Sequence, residues 1–417
     1  MKPNGVNETM RISGAGRGPT VLVIGAGVVG LTTALCLRRA GHQVVVAAER
    51  FAPDITSVVA GALWEWPPAV CGHHRDEASL QRSKSWCLTS YERFRRLAED
   101  SRTGVHLRPA VFYFRRPVQD DPVEHRKMLE LSQHVQGFRH DAGLAEENGV
   151  NPAAGVRDAY TYLAPMIDTD TYLAWLMEEV TAAGCRVIRS RIQGDLTERE
   201  QQILDTHRAD TIVNCTGLGA VELTGEPMYP LRGALVYVHN DGRSMPRITG
   251  AHCMSYDQSL AGQNMVFIVP RGTDLLVLGG LVEPGEWGTD LSLDDYPPIR
   301  DMLTRCQDFL PALRNASLLT GRTVRVGLRP ARTNGVRLDH QHGTRILHNV
   351  GHGGSGVTLS WGCAEEIVDL HRTILDRPAA RLAAGQPEPA GAWRRESAES
   401  PRAEEQRSPH CDSAARA

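Results

Sequence analysis

A glycine-rich loop between a buried strand and a helix constrains the fold of this chain more than any other feature. The apolar run Val21–Ile24 is typical of a parallel strand, and Gly25-Ala26-Gly27-Val28-Val29-Gly30 follows it directly. An apolar helical pattern comes next, and a second strand, Val44–Val46, ends just before Glu49 and Arg50. This order of elements predicts a βαβ unit that binds a dinucleotide.

Each residue type in the loop has a physical role in such a unit. Gly25 permits a tight turn, Gly27 lets the backbone approach a pyrophosphate, and Gly30 lets the helix pack on the strand. The N-terminus of the helix then faces the phosphates. Glu49 is placed to accept a hydrogen bond from a ribose hydroxyl, although a solvated acid at a strand end is the alternative interpretation. The motif by itself leaves NAD and FAD open.

A second glycine cluster lies some 320 residues further along the chain. Gly351, Gly353, Gly354 and Gly356 follow the short strand Ile346-Leu347, and an apolar helical pattern begins near Val357. Two such turns indicate that both ends of the chain contact one ligand. A cofactor with phosphates at one end and a flavin at the other suits this pattern, because a helix N-terminus stabilises the negative charge of a reduced flavin.

Composition excludes several other classes of protein. Lys plus Arg is 46 and Asp plus Glu is 49, so no basic excess favours nucleic acid. Residues 18–37 are uncharged and long enough to span a membrane, but their glycine spacing favours a strand, a loop and a helix. Nine cysteines without a C-x-x-C pair, and no signal-peptide core, indicate a cytoplasmic location. Cys71-Gly-His73-His74 and His340-Gln-His342 lack a matching second ligand pair, so no metal site is expected.

Together the motifs resemble the D-amino-acid oxidase and D-aspartate oxidase family of FAD-dependent enzymes. The strings that carry the resemblance are VIGAGVVGLTTALCL (23–37), AERF (48–51), the stretch from Thr56-Ser57 to Trp64, VNCTG (213–217), IVP…LGG (268–280), GLRP (327–330) and HNVGHGGSG (348–356). The resemblance implies an α/β fold with a Rossmann-like FAD-binding domain assembled from discontinuous segments. It also implies an α+β substrate domain with a mostly antiparallel sheet.

The positions of these strings set the expected domain boundaries. We expect residues 19–70, 165–225 and 325–376 to form the FAD-binding domain, and residues 71–164 and 226–324 to form the substrate domain. Residues 1–18 and 377–417 contain few large apolar side chains, so we expect disorder at both ends.

The resemblance also implies which residues bind FAD. Val28, Val29, Glu49 and Arg50 would hold the ADP half, and Ile192 would contact adenine. The residues implied to line the pyrophosphate and flavin are Thr56, Ser57, Gly61, Ala62, Leu63, Thr216, Gly217, Gly353, Ser355, Gly356, Val357 and Thr358.

For the substrate, the resemblance implies that Arg329 pairs with a carboxylate through its planar fork, which matches carboxylate geometry better than Lys does. Arg325 and Arg332 are nearby competitors for that role. The resemblance also implies that the carbonyl of Gly354 receives the substrate amine. Tyr256 is our candidate for an active-site hydroxyl in the lid loop.

Four positions depart from the family pattern. Phe267 and Gln263 stand where the family usually has active-site tyrosines, and Val350 and Ser355 replace two other aromatic side chains. These departures leave the cofactor residues intact but leave the identity of the substrate open.

The expected reaction is oxidative deamination of a D-amino acid to a 2-oxo acid and ammonia, with oxygen reduced to hydrogen peroxide. The alternatives are a specialised amine or imino-acid oxidase or dehydrogenase, acting on a glycine-like, sarcosine-like or N-substituted substrate, and a non-catalytic flavin-binding protein. An NAD-dependent dehydrogenase is a further alternative. The expected partners are a small-molecule amine or amino acid and oxygen, with no nucleic acid and no membrane, and a homodimer is compatible with the sequence.

Overall fold

Two β-sheets organise the chain. The computed structural model describes residues 18–67, 74–255 and 263–375, so the predictions for both chain ends and for Tyr256 concern residues outside these ranges. The strands are β1 Thr20–Ile24, β2 Gln43–Ala48, β3 Val105–Phe114, β4 Arg139–His140, β5 Asp158–Ile167, β6 Arg186–Arg189, β7 Thr211–Asn214, β8 Met228–His239, β9 Ala251–Met254, β10 Val266–Arg271, β11 Leu275–Gly279, β12 Glu283–Pro284, β13 Val324–Arg332, β14 Arg337–His340 and β15 Ile346–Val350. The helices are α1 Val28–Arg39, α2 Glu77–Leu97, α3 Pro122–Ser132, α4 Leu144–Glu147, α5 Thr169–Ala182, α6 Glu200–His207, α7 Ala220–Thr224, α8 Pro297–Phe309 and α9 Gly356–Leu375.

The first sheet has six strands in the order β14-β15-β7-β1-β2-β6, and every neighbouring pair is parallel except β14 with β15. Val21, Leu22 and Val23 of the central strand β1 are completely buried, as expected for a parallel strand covered on both faces. Val21 and Val23 pack in one apolar cluster with α1 and α9, whereas Leu22 packs in another with α6. The carboxyl ends of these parallel strands therefore form one edge, where ligands of such sheets bind.

Two glycines allow close packing around α1 and α9. A Cβ atom on Gly30 would lie 2.9 Å from the carbonyl carbon of Gly25, and one on Gly362 would lie 2.7 Å from the carbonyl carbon of Trp86 in α2. Neither distance leaves room for a side chain. The role predicted for Gly30 in packing helix on strand is consistent with this contact.

The second sheet has nine strands in the order β12-β8-β11-β10-β9-β3-β5-β4, with β13 also paired to β8. Its pairs are antiparallel except β3 with β9. Phe267, Cys253 and Phe112 lie in one register row across β10, β9 and β3. Cys253 and Phe112 pack in the apolar cluster that includes α1 and α9, whereas Ile268 of β10 packs with α8 on the other side.

The predicted fold class, α/β with a mostly antiparallel second sheet, is confirmed. The strand that contains residues 325–332, which we expect in the FAD-binding domain, pairs with the second sheet. β13 pairs with β8 along its whole length, from Val324 opposite Val236 to Arg332 opposite Met228. The main-chain hydrogen bonds of the GLRP segment therefore belong to the second sheet, and the division into domains stays a prediction. No helix within the described ranges is both long and apolar enough to cross a membrane.

Candidate cofactor and substrate site

The first glycine loop adopts the tight geometry that the sequence predicts. The amide of Gly25 donates to the carbonyl of Ala47 over 2.8 Å, and its φ of 115° lies in the region that favours glycine. A Cβ atom there would lie 2.9 Å from the carbonyl carbon of Cys215. The loop thus brings β1, β2 and the end of β7 together at the carboxyl edge of the first sheet.

The N-terminus of α1 meets the second segment assigned to the cofactor. The amide of Val28 donates to Oγ of Ser57 over 3.0 Å, and a Cβ atom on Gly27 would lie 3.1 Å from the same oxygen. Thr56 and Ser57 form the start of a short 3-10 helix, Thr56–Val59. A helix N-terminus, a glycine without a side chain and a hydroxyl are the donors and the space that a pyrophosphate requires, so the residues present fit a dinucleotide.

The predicted ADP residues lie at the end of β2. The side chain of Glu49 is exposed, and its nearest cation is Nη1 of Arg191 at 3.8 Å, so its carboxylate keeps acceptor capacity for a ribose hydroxyl. Arg50 is exposed beside it, and Ile192 packs at the margin of the apolar cluster under β1 and β2. The contact between Ile192 and adenine stays a prediction.

The second glycine turn lies next to the first. It forms a 3-10 turn, Gly353–Ser355, that leads into α9, and a Cβ atom on Gly356 would lie 3.9 Å from Val29 and 4.0 Å from Val28. Ser355 is buried, and both its amide and its hydroxyl donate to the carbonyl of His352. The structure therefore brings together two turns that the chain separates by some 320 residues.

Three further predicted residues close this region from the side of the second sheet. A Cβ atom on Gly61 would lie 2.7 Å from Cζ of Phe267, so the phenyl ring packs against the backbone that leads to Ala62 and Leu63. Ala62 has a φ of 51°, and Leu63 pairs with Met166 of β5. The predicted flavin segment is thereby fixed between the two sheets.

Thr216 and Gly217 lie where β7 meets the GLRP strand. The amide and hydroxyl of Thr216 both donate to Oδ1 of Asn214, and a Cβ atom on Gly217 would lie 3.8 Å from the side chain of Pro330. Ala331 also pairs with His352 of the second glycine turn. Thus the GLRP strand, although part of the second sheet, contacts both the segment that follows β7 and the second glycine turn.

Arg329 differs from its two competitors in its charge environment. Arg325 pairs with Asp170 at 2.8 Å, and Arg332 pairs with Glu226 at 2.5 Å. Arg329 is half-buried, and no carboxylate of the described residues lies within ion-pair distance of it. Burial lowers the pKa of its guanidinium, but Arg stays charged in proteins. Of these three arginines, Arg329 alone lacks an acidic partner within the described chain.

Arg329 lies across the backbone of strand β8. A Cβ atom on Gly233 would lie 2.6 Å from its Cζ and closer still to both terminal nitrogens. Its Nη1 donates to the carbonyls of Arg232 and Leu281 over 3.4 and 3.5 Å. Sequence reasoning missed Gly233. The signal that could have found it is a glycine inside a mostly apolar strand, where a missing side chain indicates close approach by another group.

His352 is a second residue that sequence reasoning did not assign, although it lies inside the quoted HNVGHGGSG string. Burial lowers the pKa of its imidazole to about 4, so the ring is neutral near pH 7. Its Nε2 is buried and has no hydrogen-bond partner among the described residues. An unsatisfied buried nitrogen in the second glycine turn is consistent with a site where a bound group completes the hydrogen bonding.

The other candidates occupy different surroundings. Gln263 uses its amide to bond both main-chain groups of Val282, at 2.8 and 3.3 Å, which gives it a structural role in this conformation. Val350 is buried with Ala220 and Met228, and Gly354 is exposed.

Within the ranges that the structure describes, no three His, Cys, Asp or Glu side chains are arranged to hold a metal ion.

The fold and the glycine loops define a dinucleotide-binding α/β protein, and comparison with known proteins agrees with this class. The family model for FAD dependent oxidoreductase matches residues 20–370. A D-amino-acid oxidase of Rubrobacter xylanophilus is 37% identical over 355 residues, which cover 84% of this chain and 94% of that protein. A D-amino-acid oxidase of Streptomyces coelicolor is 34% identical over 360 residues, which cover 84% and 96%.

Solved structures show the same fold at lower identity. Glycine oxidase of Bacillus cereus superposes with a TM-score of 0.64 at 16% identity, and the match covers 87% of this chain and 97% of that one. The chain belongs to the FAD dependent oxidoreductase family. It is a flavoenzyme, and FAD is its cofactor.

Proposed function

We propose that this protein oxidises the bond between the α-carbon and the nitrogen of a D-amino acid. The proposed products are a 2-oxo acid and ammonia, with molecular oxygen as the electron acceptor and hydrogen peroxide as its product. The observation that carries the proposal is Arg329, a half-buried guanidinium that pairs with no acid of the described residues and lies beside the residues that fit a flavin. The two bacterial relatives, both D-amino-acid oxidases by name, support the same reaction.

Arg329 would bind the α-carboxylate of the substrate. Its fork presents two parallel N–H donors, and an incoming carboxylate would neutralise a charge that no acid of the described residues pairs. Phe267 and Gly61 would then form an apolar wall beside the α-carbon, which excludes water from the reacting atoms. Orientation by these groups is the contribution of the protein to the rate.

Gly354 would place the other end of the substrate. Its exposed position in the second glycine turn leaves its carbonyl available to accept a hydrogen bond from the amine. Bound FAD would supply the two-electron acceptor for this oxidation. The atoms balance with one amino acid, one O₂ and one water giving one 2-oxo acid, one ammonia and one H₂O₂.

The cofactor residues are part of the same proposal. Gly25 to Gly30 and Ser57 would hold the pyrophosphate, Glu49 and Arg50 the ribose, and the turn Gly353–Ser355 with the start of α9 the flavin edge. We also propose a cytoplasmic location, which rests on the cysteine pattern alone.

A second candidate substrate class is a glycine-like or N-substituted amine. Phe267 favours it, because the phenyl ring offers no hydroxyl to assist Arg329 in holding a carboxylate. A site without that donor discriminates less strongly between a D-amino acid and other amines.

One experiment separates these candidates. The purified holoenzyme is mixed without oxygen with D-amino acids, their L-enantiomers, glycine, sarcosine and D-proline, and the flavin absorbance is followed before air is admitted. Bleaching by D-amino acids followed by peroxide on aeration supports the main proposal. Bleaching confined to glycine or N-substituted amines favours the second class. Bleaching without peroxide identifies a dehydrogenase, and no bleaching by any amine contradicts both candidates.

A further inference from the structure

A closed set of hydrogen bonds lies behind strand β8, on the side away from Arg329. Nε of Arg232 donates to Oε2 of Glu283 over 2.8 Å, and its Nη2 donates to the hydroxyl of Tyr296 over 2.8 Å. That hydroxyl donates to Oε1 of Glu283 over 2.6 Å, which completes the triangle. We call these three residues the Arg232 triad.

The triad is close-packed and well satisfied. The side chain of Arg232 is only 6% exposed, its Nη1 donates to the carbonyl of Gly288 over 3.0 Å, and its guanidinium stacks 5.2 Å from the ring centre of Tyr296. Glu286 adds a weaker ion pair at 3.7 Å. A buried ion pair of this kind contributes little net stability, because desolvation offsets most of its attraction. Stability alone therefore gives a weak reason for the triad.

The position of the triad relative to Arg329 gives a stronger reason. Alternate residues of a strand face opposite sides, so Arg232 and Gly233 place the triad and Arg329 on the two faces of β8. The carbonyl of Arg232 itself is one of the two acceptors of Arg329, and the other, on Leu281, lies two residues before Glu283. Glu283 pairs in register with Arg232 where β12 joins β8.

Both acceptor carbonyls therefore belong to segments that the triad ties together. The hydrogen bonds from Arg329 are long, at 3.4 and 3.5 Å, and no acid of the described residues adds a third contact. Small movements of β12 against β8 would change the direction of the guanidinium fork. We propose that the Arg232 triad is a positioning network that orients Arg329 toward the substrate carboxylate. This proposal rests on the proposed function of Arg329.

The test measures binding of a carboxylate rather than turnover. Benzoate is titrated into the FAD-loaded enzyme, and its Kd is read from the change in flavin absorbance. Tyr296→Phe removes one hydroxyl and keeps the ring. We expect it to raise the Kd of benzoate about tenfold, because the hydroxyl makes the hydrogen bonds to the charged groups of Arg232 and Glu283. Tyr113→Phe is the matched control, because Tyr113 is a buried tyrosine bonded to His252 in the same sheet, away from Arg329.

A double-mutant cycle distinguishes positioning from general stability. Arg329→Lys sets the weak-binding reference, and Tyr296→Phe is then added to it. If the triad acts through Arg329, the second change costs less than about twofold in that background. Equal effects of Tyr296→Phe in both backgrounds, or no effect in either, would overturn the proposal. If Arg329→Lys leaves the Kd of benzoate unchanged, the carboxylate role of Arg329 is wrong and the proposed function fails with it.

Rescue provides a further readout. Glu283→Gln keeps an acceptor for Tyr296 and removes the charge, whereas Glu283→Ala removes both. We expect Glu283→Gln to retain most of the carboxylate affinity and Glu283→Ala to lose it, with the affinity for FAD unchanged in both. Loss of FAD in either variant would show that the triad supports the fold of the cofactor site instead.

Discussion

Gly233→Ala is the most direct test of how the protein shapes its carboxylate site. In the wild type the guanidinium of Arg329 lies on the backbone of Gly233, and an added Cβ atom would be 2.6 Å from Cζ. Carbon atoms in contact prefer about 3.5 to 4.0 Å, so the guanidinium must move by about 1 Å. Because the obstructed atoms are at the end of a flexible side chain, Arg329 can yield while the strand stays in place.

The expected loss follows from that displacement. A misplacement of about 1 Å can cost about 100-fold in rate, which corresponds to about 2.7 kcal/mol of transition-state stabilisation. We expect kcat/KM toward the best amino acid to fall by this factor, with the Kd of FAD unchanged. Steady-state kinetics and a flavin titration measure the two quantities separately.

The control for this variant is a glycine with ordinary geometry away from the site. Gly143 has a φ of −67° and is exposed, with only the side chain of Asp141 near an added Cβ atom. Gly143→Ala is expected to leave both kinetics and FAD affinity unchanged. A Gly233→Ala enzyme whose kcat/KM stays within threefold of the wild type would refute the proposed contact between residue 233 and the working position of Arg329.

Three more predictions address the carboxylate, the cofactor and the pH dependence of stability. Arg329→Ala should raise KM by about 100-fold or more and leave FAD bound, and loss of the flavin colour instead would contradict the carboxylate role. Gly27→Val should give a colourless protein, since a side chain there fills the space beside Ser57 that a pyrophosphate needs, and retention of stoichiometric FAD would exclude that geometry. Burial favours a higher pKa for Glu226, but hydrogen bonds and charge from Arg332 and Arg337 lower the pKa overall. The ionised carboxylate therefore stabilises the fold above the unfolded pKa of Glu226. This stabilisation is lost as pH falls through the lower folded pKa. Glu226→Gln should therefore cost about 3 kcal/mol in the free energy of unfolding at pH 7 and much less below pH 4, as measured by urea denaturation at both pH values.

Much of the cofactor region could be predicted from the sequence because it depends on local geometry. The loop from Gly25 to Gly30 needs glycine for reasons of φ and close approach, and those reasons act over a few neighbouring residues. The predicted strands Val21–Ile24 and Val44–Val46 likewise follow from apolar runs, and they lie within β1 and β2. Apolar patterns indicate which residues of a strand or helix are buried, so they predict these elements from the local sequence.

Contacts between segments that are distant in the sequence were harder to predict. From the sequence, the resemblance in GLRP favoured Arg329 but left Arg325 and Arg332 as competitors. The ion pairs of Arg325 with Asp170 and of Arg332 with Glu226 distinguish them from Arg329. The same holds for the sheet that contains GLRP, because an apolar strand pattern does not specify which neighbour the strand pairs with.

The sequence by itself determined that this chain builds a dinucleotide-binding βαβ unit and carries a second glycine turn far along the chain. It did so because tight turns and buried strands leave a signature within ten or so residues. The tertiary structure decided that the two turns meet beside Val28 and Val29, that Gly233 lies directly under Arg329, and that no acid of the described ranges pairs with Arg329. Charge pairing and close packing depend on distances between segments that the order of residues does not encode locally, so these features emerge only when the chain is folded.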